Sequence, residues 1–300
     1  MPTLPKRLFA NAYLLLTLTA LMWAGNSIVS KVAVGQVSPM ALTVLRWGLV
    51  LAALLSFRWR ETRADLASLK PSWRWVALMG MTGYASFNAL LYAAGHFTSA
   101  VNMTILQGSL PVFILIGGLV VFQARIGALQ AIGALVTLIG VAAIASGGDA
   151  QRLFDLAFNF GDLLLIAACV LYAGYTQGLR RRPAVSGFAI FTGFAAAAFL
   201  ASLPLLAIEM AMGQFHAPTA FGWALTAYAV IGPSFLAQIF YIRGVELIGP
   251  ARAGLFINLV PVFGAGLAVM LLGEPFGLHH AIALVMVLGG IALAEWGKVA

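Results

Sequence analysis

Apolar residues run through this chain in long blocks, without the alternation of a half-buried strand or of a membrane barrel. A hydrocarbon layer roughly 30 Å thick takes about 20 residues of α-helix to cross. By that measure the blocks predict ten membrane-spanning helices, at 11–33, 38–57, 73–95, 98–122, 126–146, 158–179, 186–212, 219–243, 248–272 and 277–296. Most connections are short, and the longest polar stretches are 58–70 and 147–159. The predicted fold class is all-α integral membrane.

The block 99–144 occurs twice. Shifted by 150 positions, Pro111-Val112-Phe113 lands on Pro261-Val262-Phe263, Gly127 on Gly277, Ile132 on Ile282, Leu138 on Leu288 and Gly140 on Gly290. Upstream, Trp23-Ala24-Gly25 resembles Tyr172-Ala173-Gly174 at a shift of 149. The chain therefore reads as a five-helix repeat over 1–146, a linker at 147–157 and a second five-helix repeat over 158–300. Five is odd, so the second copy enters the membrane from the opposite face. The repeats are then inverted, related by a pseudo-twofold axis in the membrane plane. A half-length repeat in an apolar chain is the mark of a transporter built from two related bundles.

Composition sharpens this reading. The chain is 62% hydrophobic and 9% charged, and 17 basic and 9 acidic side chains cannot coat a soluble fold of 300 residues. The bilayer is the solvent for most of the surface. The net charge of +8 points to orientation rather than to nucleic acid. With ten spans both termini share a side. That side carries Lys6, Arg7, Arg58, Arg60, Arg63, Lys70, Arg74, Arg125, Arg180, Arg181, Arg182, Arg243, Arg252 and Lys298, against Lys31 and Arg152 opposite. The excess places both termini in the cytoplasm. Lys6 and Arg7 precede an apolar run too long for a signal peptide, so an uncleaved first span is expected. The single Cys169 allows no intrachain disulfide.

Pro111 and Pro261 lack an amide hydrogen and clash with the carbonyl four residues back, at Gln107 and Ile257. Each is expected to bend its helix near the bilayer midplane and to act as a hinge, although an ordinary structural kink has the same sequence. Trp23, Asn26 and Ser30 share one face of the first helix, with Tyr172 and Tyr175 equivalent to Trp23 and Asn26 in the sixth. Tyr84 and Asn88 share a face of the third helix, and their repeat mates are Ser234 and Gln238, with Tyr241 beyond. Gln107 and Asn258 stand just before the two prolines. Polar groups in a bilayer turn toward protein or water. Trp23, Asn26, Tyr84, Asn88, Gln107, Tyr172, Gln238, Tyr241 and Asn258 are therefore the candidate substrate-binding side chains; interhelical hydrogen bonding is the plain alternative for each.

Arg46 lies within the second span, and an intramembrane charge is a functional candidate by default. Asp162 or Glu209 is its expected partner, while Lys31 is expected to snorkel to the interface. No HExxH, paired-cysteine, nucleophile-elbow or Walker pattern occurs. No metal, cofactor, ATP or enzymatic role is therefore expected. No acidic residue or histidine falls near mid-span of the cavity helices, which points to downhill transport without an obligatory proton.

Met22-Trp23-Ala24-Gly25-Asn26, then Lys31, Ser38-Pro39 and Leu45-Arg46, resembles the opening of an EamA domain. Gly249-Pro250-Ala251, Pro261-Val262-Phe263 and Leu272-Gly273-Glu274-Pro275 resemble its close. In the first half Phe122-Gln123-Ala124 stands where the second has Leu272-Gly273-Glu274, a departure from the pattern. EamA domains define the drug/metabolite transporter superfamily, and within it the chain looks most like the YddG-type amino-acid exporters. The resemblance implies export of amino acids or similar small metabolites across the bacterial inner membrane. It also implies a central cavity within helices one to four and six to nine, with five and ten as a supporting pair. Carriers of nucleotide sugars or cationic drugs, a passive channel and a membrane-embedded enzyme are the other readings.

Overall fold

The computed structural model describes residues 9–123, 127–146, 149, 159–248 and 256–297. The expected linker at 147–157, apart from Asp149, lies outside them, as do Gly249-Pro250-Ala251 and the bases Lys6, Arg7, Arg125, Arg152, Arg252 and Lys298. Among the described residues the regular structure is helical, with no strand. The helices are α1 (Ala12–Val32), α2 (Pro39–Leu69), α3 (Trp73–Gly80), α4 (Phe87–Ala94), α5 (Ala100–Gln107), α6 (Leu110–Phe122), α7 (Ala128–Ala145), α8 (Phe160–Gly178), α9 (Gly187–Ala211), α10 (Ala220–Ala229), α11 (Ala237–Ile248), α12 (Leu259–Leu272) and α13 (Leu278–Trp296). Two π-helical segments, Met81–Ser86 and Val230–Leu236, join α3 to α4 and α10 to α11.

Six stretches are long and apolar enough to cross a bilayer: Ala12–Val32, Pro39–Ser56, Ala100–Val121, Phe160–Gly178, Gly187–Ala211 and Ala220–Ile248. Shorter apolar helices occupy Ala128–Ile144, Phe256–Leu272 and Leu278–Ala294. Their outer surface is apolar: Met270 is 81% exposed and Val285 71%. Water would penalise such a surface and lipid does not.

Helix starts follow the sequence. Asn11, Ser99, Asn159, Ser186 and Thr219 each accept a hydrogen bond from a backbone amide two or three residues on, satisfying groups that a helix start leaves open. The expected bends at Pro111 and Pro261 take another form. α5 ends at Gln107, Gly108 and Ser109 turn, and Pro111 is the second residue of the new helix α6. Pro261 is the third residue of α12, behind a 3-10 turn at Phe256–Asn258. In a first helical turn the missing amide has no intrahelical partner to lose, so each proline starts a helix instead of kinking one.

Packing is close and glycine-dependent in places. α7 lies along α13, where a Cβ on Gly133 would stand 2.4 Å from the Gly290 carbonyl oxygen. α2 packs on α9, α1 on α11 and α12, α8 on α4 and α6, and α5 on α12.

One end of the bundle is tied by polar contacts. Lys31 Nζ donates to the Gly95 and Thr98 carbonyls at 3.1 and 2.9 Å. The Thr98 hydroxyl and Asn102 amide donate to the buried carboxylate of Asp162. Glu274 accepts from the Ala100 and Val101 amides, both at 2.9 Å. Glu209 accepts from the Ser38 hydroxyl and the Met40 amide. Two carboxylates thus sit on the N-termini of α5 and α2, where the helix dipole favours negative charge. Glu274→Ala should cost about 0.5–2 kcal/mol, the usual worth of a lost helix cap. Hydrogen exchange at Ala100 and Val101 should then quicken by about tenfold, with Glu274→Gln between the two. Unchanged exchange in Glu274→Ala would show that the cap does not hold this end.

Candidate functional site

The two π-helical segments correspond at the repeat shift, and both border one central cavity. In a π turn the amide bonds five residues back, which rotates the following side chains relative to the preceding helix. Pro233 accounts for the second. It offers no amide to the Ala229 carbonyl, and the Ser234 hydroxyl bonds that carbonyl instead, at 2.6 Å. The first contains no proline. There the Tyr84 carbonyl accepts from the Asn88 side-chain amide at 2.7 Å, and the Tyr84 ring stacks on Trp47 with centroids 4.5 Å apart.

The cavity measures about 150 Å³. Trp23, Asn26, Arg46, Trp47, Tyr84, Asn88, Gln107 and Pro111 line it from the first half of the chain, and Tyr172, Pro233 and Gln238 from the second. Apolar wall comes from Phe87, Leu110, Ile114, Ile257 and Val260. Seven of the nine candidate side chains named from sequence are thus in the wall. Tyr241 and Asn258 are not. The Tyr241 ring lies behind Trp23, at 5.5 Å between centroids. Asn258 is the residue before α12 and makes no side-chain capping bond. Pro261 is also outside the wall, although Ile257 and Val260 beside it are within.

Several wall groups are held by the protein. Trp23 Nε1 donates to the Pro233 carbonyl at 3.1 Å, tying α1 to the second π turn. Gln107 Nε2 donates to the Ser27 hydroxyl at 2.7 Å and to the Met103 carbonyl at 3.0 Å. Tyr172 meets Phe87 and Tyr175 ring to ring, at 5.1 and 5.2 Å.

Arg46 differs from its expected arrangement. Neither Asp162 nor Glu209 is its partner; both carboxylates are engaged at the tied end of the bundle. Arg46 is 5% exposed, and its guanidinium donates through Nη1 to Asn26 Oδ1, at 2.8 Å, and to the Tyr92 hydroxyl, at 2.5 Å. Tyr92 in turn donates to Asn26 Oδ1 at 3.2 Å. The Trp47 and Tyr92 rings lie 5.4 and 6.0 Å from the guanidinium carbon, within cation–π range. Among the described lining residues Arg46 is the charged one.

Sequence reasoning missed Trp47 and Pro233. Pro233 carried a usable signal, as a proline in the interior of a predicted span and the repeat mate of Gly83, which also lines the cavity. Trp47 carried none beyond its place beside Arg46. A second depression, lined by Ser38, His96, Glu209 and His216 among others, lies at the tied end. There burial, and then the nearby Lys31 ammonium, push the His96 imidazole below its ordinary pKa. This depression is larger, about 570 Å³, but it lies among connections at one end, away from the residues the two halves contribute to the centre.

The EamA-like transporter family matches the chain twice, over residues 10–146 and 159–296. The uncharacterised transporter YetK of Bacillus subtilis is 26% identical over 282 residues, covering 94% of this chain and 86% of its own. An uncharacterised transporter of Archaeoglobus fulgidus is 28% identical, covering 95% of this chain and 97% of its own. An uncharacterised protein of Pseudomonas aeruginosa is 30% identical, covering 93% of each. A solved crystal structure superposes with a TM-score of 0.66 at 20% identity, covering 96% of this chain and 99% of that one, which is a likeness of fold. With the family matched over both halves, the helices apolar on their outer faces and a cavity that carries polar side chains at the centre, this chain is a multi-pass membrane protein belonging to the EamA-like transporter family.

Proposed function

We propose that this protein is a secondary carrier that exports amino acids or similar small metabolites by alternating access, driven downhill by the substrate gradient. The observation that carries the proposal is the central cavity, to which both halves contribute polar and aromatic side chains. Helix contacts support a ten-helix, inverted-repeat arrangement. Exchanging each helix for its repeat mate turns the α1–α11 contact into α8–α4 and the α1–α12 contact into α8–α6; the α2–α9 and α7–α13 pairs turn into themselves. A pseudo-twofold relation between the halves would produce this pattern. The Lys and Arg bias favours cytoplasmic termini in a bacterial inner membrane. In this reading Trp23, Asn26, Tyr84, Asn88, Gln107, Tyr172 and Gln238 face the substrate. Tyr241 supports Trp23 from behind, and the helix starts at Pro111 and Pro261 are points of movement.

The test is flux in proteoliposomes with a panel of amino acids, quaternary amines and nucleotide sugars. Asn88→Leu and Gln238→Leu should each lower the rate about tenfold, equivalent to about 1.4 kcal/mol, while leaving the amount of folded protein unchanged. Equal losses of rate and of folded protein would assign these amides to structure alone. No flux of any solute would sink the carrier reading. Topology is checked separately with Asn159→Cys, which should react with an impermeant thiol reagent from outside the cell. Labelling only from the cytoplasm would contradict the orientation.

A further inference from the structure

Taking the cavity as a substrate site, as proposed above, we infer that it is built to receive an organic carboxylate, with Arg46 as the anion receptor. Three observations support this. Arg46 is a buried cation with neutral partners: Asn26 and Tyr92 take its Nη1, while its Nε is buried without an acceptor among the described residues. A buried charge is costly unless an opposite charge completes it, and the guanidinium fork suits a planar carboxylate. The described wall of the cavity contains no acidic side chain, so nothing in it neutralises Arg46 and nothing in it pairs with a substrate ammonium.

The second observation is that the receptor is held ready. Asn26 Oδ1 accepts from both Arg46 and Tyr92, and the Trp47 and Tyr92 rings flank the guanidinium. The side chain therefore loses little further freedom when an anion binds. The third is the nature of the remaining wall. Tyr84, Phe87 and Tyr172 add an apolar, aromatic surface to the same wall, and a cavity of about 150 Å³ matches the size that takes up a single benzene ring. The ligand class is thus a small carboxylate with an apolar body of about one ring. An α-ammonium group is not required, since it would meet only neutral oxygens.

Isothermal titration on the purified full-length protein in lipid nanodiscs tests this with three compounds of one shape: 3-phenylpropionate, 3-phenylpropanamide and 3-phenylpropylamine. The carboxylate should bind at least about tenfold more tightly than the amide, with the amine weakest, because a charge-assisted bond replaces a neutral one. Arg46→Gln should abolish the preference for carboxylate over amide, and Arg46→Lys should keep part of it. The comparison of ligands on the unaltered protein stands even if Arg46→Gln does not fold. Amide or amine binding as tightly as the carboxylate, no binding of the carboxylate, or an unchanged preference in folded Arg46→Gln would each overturn the inference. Displacement of the carboxylate by equimolar chloride would reduce the site to one for inorganic anions and overturn the organic class. The two readings fail separately: Arg46-dependent carboxylate binding with no flux of any solute would keep the site and remove the carrier, and flux of amines that does not depend on Arg46 would keep the carrier and remove the carboxylate site.

Discussion

A backbone inside hydrocarbon has no water to bond, so every break in a helix must find its partners within the protein. This constraint decides where the chain can be irregular. The turn at Gly108-Ser109 and the two π segments are departures from α-helix within the apolar blocks, and residues next to or within all three line the same cavity. At each, a specific group takes up what the break releases. The Ser234 hydroxyl bonds the Ala229 carbonyl that Pro233 cannot reach. The Ser109 hydroxyl bonds the Leu106 carbonyl where α5 ends. The cavity and the breaks thus have one cause. Irregular backbone is tolerated where protein or a polar cavity receives it, and the same irregularity turns Tyr84 and Gln238 toward the centre.

The cavity sets a few polar groups in a mostly apolar wall, with no acidic side chain in its described lining, and that balance shapes its electrostatics. A guanidinium in a membrane interior is stabilised by oxygen lone pairs and aromatic faces, and Arg46 has both. The carboxylates that could have neutralised it are committed elsewhere: Glu209 and Glu274 cap helices, and Asp162 holds Thr98 and Asn102. Among the described residues these three carboxylates therefore lie at one end of the bundle, and none of them lines the cavity beside Arg46. Such separation favours an anion at the centre over a cation, by Coulomb attraction strengthened in a low-dielectric surround.

Much of the helical layout was legible because its causes are local. Block length follows from bilayer thickness, and a polar residue at helical spacing in an apolar block has few places to go. That is why spacing alone points to Trp23, Asn26, Tyr84, Asn88, Gln107, Tyr172 and Gln238, which lie in one wall. Tyr241 and Asn258 fell outside it because spacing gives a face and not a depth. Tyr241 is on the right side of α11 but a ring's width behind Trp23. The prolines misled in a related way. A proline in an apolar block predicts a bend, yet Gly108 and Ser109 just upstream allow a complete break, after which Pro111 is a favourable helix starter. The partner of Arg46 was illegible because it depends on how α2 rotates against α1 and α4, which no pattern along α2 encodes.

The two halves share a plan and differ where helix ends are stabilised. α6 and α12 both terminate in a left-handed residue, Gln123 at φ 51° and Gly273 at φ 64°. Glycine adopts that conformation freely, and glutamine does so against the repulsion of its Cβ. The residue after Gly273 is Glu274, whose carboxylate binds the N-terminus of α5; the residue after Gln123 is Ala124, which has no side-chain acceptor. A carrier with inverted repeats exposes its cavity to each side in turn by exchanging the arrangements of its halves. In such a cycle the end closed by Glu274 gains two charge-assisted bonds that an alanine at the corresponding place cannot supply. Under the proposed alternating-access cycle, the end that Glu274 holds against α5 is therefore the more strongly tied of the two.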